Sequence, residues 1–209
     1  GIDNWGEVQN IQASDKAPLD SFGASISISG DYAIVSAPGE DTGASNAGAA
    51  YIFHFDGLSW VEESMFLGES SDLFGQSVAI SGNKAIVGAQ GDNIGGSAYV
   101  YNYDLTTWSL ETKLFASNAN ARSFGIAVSI EDNKAAITAN NNLIAGKGSA
   151  YLFENTNGVW QEKFEYLSSD VNSLGQFGSA ISLESNKVFP EITSITNVTP
   201  FIPFAINIA

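Results

Sequence analysis

The sequence contains no cysteine. That excludes disulfide staples, thiolate metal sites and cysteine nucleophiles. It has one arginine, Arg122, and one histidine, His54. A lone arginine cannot build the cluster that a sialidase-type site needs for a substrate carboxylate. A lone strand histidine gives no metal-binding His-Glu-x-x-His pair and no readable Ser/His/Asp set. Charged residues are only 15% of the chain, and the positive ones are the scarcer: 8 Lys+Arg stand against 23 Asp+Glu, a formal charge of −15. Such a surface repels nucleic-acid backbones and anionic membranes and attracts cations. No apolar run approaches the ~20 residues of a membrane span, so no membrane insertion is expected. The chain opens at Gly1 without a Met and without a signal-peptide pattern, as a processed product would.

What is present is apolar and small. Hydrophobic residues make up 44% of the 209 residues, and glycine alone numbers 21. A packed core is expected, with a surface kept polar by Ser, Asn, Thr and Gly rather than by ions. The residues also repeat. Phe-Gly occurs at Phe22-Gly23, Phe74-Gly75, Phe124-Gly125 and Phe177-Gly178, in steps of 52, 50 and 53. Trp5, Trp60, Trp108 and Trp160 recur in the same register. A fixed period near 50 residues signals a repeat architecture.

Each unit reads as four short strands. After Phe-Gly comes a strand alternating small with aliphatic residues, as in Ser25-Ile26-Ser27-Ile28 and Ser77-Val78-Ala79-Ile80. A tight turn follows, with Gly, Asn or Asp at positions suited to positive φ, such as Ser29-Gly30-Asp31. The second strand is aliphatic (Ala33 to Ala37), the third aromatic (Ala50-Tyr51-Ile52-Phe53), and the fourth opens with Trp (Trp60 to Leu67). Side chains therefore grow from Ser and Ala to Tyr, Phe and Trp along each unit. Blades of a β-propeller converge at an axis and splay at the rim, so this gradient predicts an all-β propeller of four-stranded blades.

Phe22-Gly23 with Ser36-Ala37-Pro38-Gly39, and Phe74-Gly75 with Gly88-Ala89-Gln90-Gly91, resemble FG-GAP repeats. The resemblance covers roughly residues 5 to 187. It implies the propeller of integrin α-chains and of many bacterial surface proteins. Integrin-type repeats carry an Asp-x-Asp-x-Asp-Gly-like calcium loop between Phe-Gly and Gly-Ala-Pro. Here that place holds a short turn with Asp31, Asn83 or Asn133 as its single polar side chain. The resemblance is thus to a short-turn bacterial variety, and no required cofactor is expected. Weak calcium binding through the net negative charge is the most that this composition implies.

One domain over residues 1–209 is expected, with repeat units about 5–59, 60–107, 108–159 and 160–209. The fourth unit is degenerate: residues 188–209, with Pro190, Pro200 and Pro203, match no earlier unit. The stretch from Trp5 to Ile11 reads as a surplus fourth strand, able to complete the blade opened at Phe177 and so close the ring. The alternative is strand exchange between chains, giving an extracellular polymer.

The loops after the second strands carry Glu40, Asp41, Asp92, Asn93, Asn140 and Asn142 at recurring places. Carboxylates and amides there could contact an ion or a glycan, or they could serve as Asx-turn residues. Tyr51, Tyr99, Tyr151 and the Trp residues read as core. Glu62, Glu63 and Glu162 are placed on solvent-facing outer strands. Asn197-Val198-Thr199 is the one glycosylation sequon, making Asn197 the candidate acceptor. The reading is a non-enzymatic, secreted or cell-surface binding, adhesion or structural module with a protein or glycan ligand. A lectin-like propeller is the rival, and self-association through a free sheet edge a further expectation.

Overall fold

The computed structural model describes residues 7, 9–142, 148–168, 177–183 and 207–208, the side chains of 141, 142, 207 and 208 excepted. Trp5, most of the expected closing strand before Gln9, and residues 184–206 with Asn197 lie outside the described residues. Among those described, all regular structure is β. Three four-stranded antiparallel sheets follow one another along the chain. Sheet 1 contains β1 (Ile26–Ser29), β2 (Tyr32–Ala37), β3 (Ala49–Phe55) and β4 (Trp60–Leu67). Sheet 2 contains β5 (Phe74–Ser81), β6 (Lys84–Ala89), β7 (Ser97–Tyr103) and β8 (Trp108–Leu114). Sheet 3 contains β9 (Ala121–Glu131), β10 (Lys134–Asn142), β11 (Ser149–Thr156) and β12 (Val159–Leu167). In each sheet the strands stand in chain order.

Among the described residues three complete sheets are found, where the sequence reading expected about four blades, the last degenerate. Beyond β12, the described residues form only β13 (Ser182–Leu183), paired in parallel with β14 (Asn207–Ile208). The physical reason is visible in the residues. After each of the first three Phe-Gly pairs the sequence runs through small, aliphatic, aromatic and Trp-led segments in turn, whereas after Phe177-Gly178 the small segment is followed by no Tyr-rich or Trp-led one.

The turns follow the local chemistry. Between first and second strands two residues suffice, and the first takes positive φ: Gly30 at 57°, Gly82 at 54° and Asp132 at 50°. Between third and fourth strands an Asx side chain folds the hairpin. Asp56 Oδ1 accepts from the backbone N–H of Leu58 and of Ser59, each at 2.8 Å, and Asp104 Oδ1 accepts from Thr106 and Thr107. All three sheets also carry a bulge at one place, between Ile52/Phe53, Val100/Tyr101 and Leu152/Phe153. A bulge raises the local twist, so its recurrence gives the three sheets one shape.

The sheets pack face to face. Ile34, Ala50, Ile52 and Phe66 of sheet 1 meet Val78, Ile80, Val87, Tyr99 and Tyr101 of sheet 2 in one apolar cluster. Ile86, Ala98, Val100 and Leu114 of sheet 2 meet Val128, Ile130, Ile137, Tyr151 and Phe153 of sheet 3 in another. Tyr51, Tyr99 and Tyr151 are all buried, as their recurrence implied. Phe22, Phe74 and Phe124 of the first three Phe-Gly pairs are set edge-on against those Tyr rings, at 5.6, 5.0 and 5.3 Å between ring centroids.

Candidate functional site

The junction between consecutive sheets is built from the first strands. Val78, Ile80 and Gly82 donate their backbone N–H groups to the hydroxyls of Ser25, Ser27 and Ser29, at 3.1, 3.2 and 3.0 Å. The edge of β5 thus finds side-chain acceptors in place of a neighbouring strand, which meets the demand of the part-buried Val78 and Ile80 N–H groups for a partner. Alternate serines on β1 are therefore more than small residues that allow close approach. The same bond recurs two sheets on, where Leu183 N–H donates to Ser129 Oγ at 3.0 Å.

Glycine explains the rest of the junction. Gly75 and Gly125 lie at φ 86° and 93°, and a Cβ on either would meet a carbonyl oxygen of the preceding sheet: Ala49 O at 2.6 Å, Ser97 O at 2.2 Å. The loop after each second strand is the other half. Phe74 N–H donates to Ala47 O at 3.0 Å, and Phe124 N–H to Gly95 O at 2.8 Å. The loop of one sheet thus holds the Phe-Gly of the next.

The loops of sheets 1 and 2 carry four of the candidate ligand residues, and the structure buries two of them, Glu40 and Asp92. Glu40 is 1% exposed; its Oε1 accepts from Thr42 N–H at 2.5 Å, and its carbonyl accepts from Gly48 N–H at 2.9 Å. Glu40 Oε2 is buried without a hydrogen-bond partner among the described residues. Asp92 holds the matching place in sheet 2, also buried, and Lys113 Nζ meets its Oδ2 at 2.5 Å. Burial opposes the charge on Lys113, but Asp92 and Tyr99 outweigh it and push the ammonium up to about 12. Sheet 1 has Met65 where sheet 2 has Lys113. Asp41 and Asn93 face solvent; Asp41 Oδ1 takes the N–H of Asn46, and Asn93 Nδ2 donates to Asp92 Oδ1.

Asn140 and Asn142 are not on a loop. They lie on β10, which runs on to pair Asn142 with Ala121. In sheets 1 and 2 the turn is made at Gly39 and Gly91, where a Cβ would stand 2.3 Å from the carbonyl oxygens of Leu19 and Ser71. Unit three has Asn141 at that point, so the tight approach is barred and the strand continues.

The outer strands differ from expectation as well. Glu62 and Glu162 are half-buried rather than free in solvent. Glu62 accepts from Ser14 N–H and Oγ at 2.9 and 2.8 Å, and Glu162 accepts from Ser117 N–H and Oγ at 2.9 and 2.6 Å. Each serine stands nine residues after a Trp, and each glutamate two residues after the next. That spacing was in the sequence and could have revealed this pair of clamps. The segment before sheet 1 is tied further by Gln9, whose amide accepts from Trp60 N–H and donates to Trp60 O. His54 stacks on Tyr32 at 4.7 Å and faces Glu63 at 3.9 Å. Arg122 Nη1 is spent on the carbonyls of Ala119 and Ala121. Among the described residues no group of three or more His, Cys, Asp and Glu is placed to hold a metal ion.

The molecule is thus a chain of repeated four-stranded antiparallel sheets, joined by Phe-Gly turns and by the loops that receive them. It belongs to the FG-GAP repeat family, whose model matches residues 5–53, 68–101 and 108–153. The first and third matched segments begin at a Trp and end at the third-strand Phe. In the third, this span starts on the closing strand of sheet 2 and ends within sheet 3, so the repeat of the sequence is out of phase with the sheet. Comparison with curated proteins finds no match.

Proposed function

We propose that this chain is a non-enzymatic binding module whose sheets are blades of a β-propeller, acting outside the cell or on its surface. Membership of the FG-GAP family over most of the three sheets carries this reading. The placement of the polar side chains supports it. Glu40, Asp92, Glu62, Glu162 and Arg122 are engaged in holding loops and neighbouring segments rather than converging on a substrate-sized site. The solvent-facing part of the loops after the second strands, with Asp41, Asn93 and the 80% exposed Ile94, is the binding face. Its mixed polar and apolar character suits a protein ligand, and a glycan is the second reading. No calcium is needed for folding, because each first turn offers at most one or two carboxylates of the several a calcium cage requires.

Labelled protein applied to purified matrix glycoproteins and to a glycan array tests the proposal. Saturable binding to a glycoprotein, lost in Asp41→Ala/Asn93→Ala without a change in thermal midpoint, is the expected result. Binding to free glycans alone selects the lectin-like reading. No saturable binding to either surface removes the proposal.

A further inference from the structure

Three observations on sheet 1 describe one half of a junction. Val78, Ile80, Val128 and Ile130 are buried at 4–7% exposure between sheets, but their counterparts Ile26 and Ile28 on β1 are 57% and 60% exposed. Gly23 takes φ 88°, like Gly75 and Gly125, yet a Cβ there would meet nothing within 4 Å. The pairing of Ser29 with Tyr32 repeats that of Ser81 with Lys84. By that register the N–H groups of Ile26, Ile28 and Gly30 point away from β2, as those of Val78, Ile80 and Gly82 point toward serine hydroxyls. Residues 9–14 already lie on sheet 1 as a continuation from a preceding sheet would. Ser14 grips Glu62 just as Ser117, which follows β8, grips Glu162.

The other half is on the same chain. β13 repeats the stacking of a first strand on the sheet before it, through Leu183 N–H and Ser129 Oγ. One unit on from Ser129 stands Ser182, exposed, where the next junction would find its acceptor. These halves lie on the first sheet and beyond the third. We infer that they meet between molecules: a second copy of this chain docks its β13 edge on β1, with Ser182 Oγ accepting from Ile28 N–H. The contact continues, across two chains, the junction that already joins the sheets within one. It is heterologous, so copies add head to tail until the rotation closes the ring.

Sedimentation of the full chain tests this. A discrete multiple of 22.0 kDa is expected. Ile28→Asp should reduce it to a single-chain species with an unchanged far-UV spectrum, since Ile28 is exposed in the single chain. The double variant Ile28→Cys/Ser182→Cys, in a protein with no other thiol, should cross-link between chains on oxidation. A single-chain mass at every concentration, or multiples that survive Ile28→Asp, overturns the inference. An intramolecular disulfide also overturns it, by giving the β1 edge to the chain's own fourth unit.

Discussion

Gly23, Gly75 and Gly125 look identical in the sequence, each the second residue of a Phe-Gly pair, but they bear different loads. All three hold a left-handed backbone that disfavours any Cβ, by roughly 1–2 kcal/mol. Only Gly75 and Gly125 also have a carbonyl of the preceding sheet where that Cβ would go. Gly125→Ala should therefore lower the urea midpoint clearly more than Gly23→Ala. Equal losses would mean that backbone conformation alone explains the glycine. The distinction was not legible in the residues, because it depends on what another sheet brings near.

At the scale of the element, the first strands and the hairpins carry separate predictions. Ser27→Ala removes the acceptor for the N–H of the buried Ile80, and an unmet buried donor costs about 1–3 kcal/mol. Ser27→Leu should cost at least as much, by overpacking the same gap. Thermal melts of both variants against a surface control such as Ser70→Ala measure this, and an unchanged midpoint for Ser27→Ala counts against the hydroxyl–amide ladder. The hairpins respond to acid. Backbone N–H groups of Ser59 and Leu58 hold Asp56 below the usual carboxylate range, and the Thr106 hydroxyl with the N–H groups of Thr107 and Thr106 does the same for Asp104. A carboxylate depressed in the folded state adds stability above its unfolded pKa of about 3.9 and loses it as pH falls through the folded value. Melting points should drop below pH ~4, and Asp56→Asn/Asp104→Asn should flatten that slope. An identical pH profile for the variant would show that these turns contribute nothing to it. The strand order and the turns were legible, since alternation, Gly or Asn turns and Trp-led outer strands act over a few residues. The extension of β10 through Asn142 was legible only in part: Asn141 in place of glycine bars the turn, but the pairing needs Ala121 as a partner.

For the whole molecule, the N-terminal segment matters more than its place at a chain end suggests. Ile11 and Ala13 pack with Val35, Tyr51 and Phe53, and Gln9 pairs both backbone groups of Trp60. Deleting residues 1–12 removes Ile11 and Gln9 from sheet 1 and leaves Ala13 as the end of the chain. The variant should unfold at lower denaturant and expose Trp60, seen as a red shift in its fluorescence. A midpoint equal to that of the full chain would show the segment to be dispensable.

Period and strand signals by themselves determined a chain of repeated β units with aromatic third strands in the core, and the Phe-Gly and Gly-Ala-Pro-like segments carried the resemblance to FG-GAP repeats. Those are local properties, set by side-chain size, by alternation and by which residues tolerate positive φ. Tertiary structure alone decided the roles of Glu40 and Asp92, and that three sheets rather than four are complete among the described residues. A carboxylate reads the same in a sequence whether it faces water or caps a buried amide. Its role depends on which N–H group, hydroxyl or ammonium the packing of sheet on sheet brings within 3 Å.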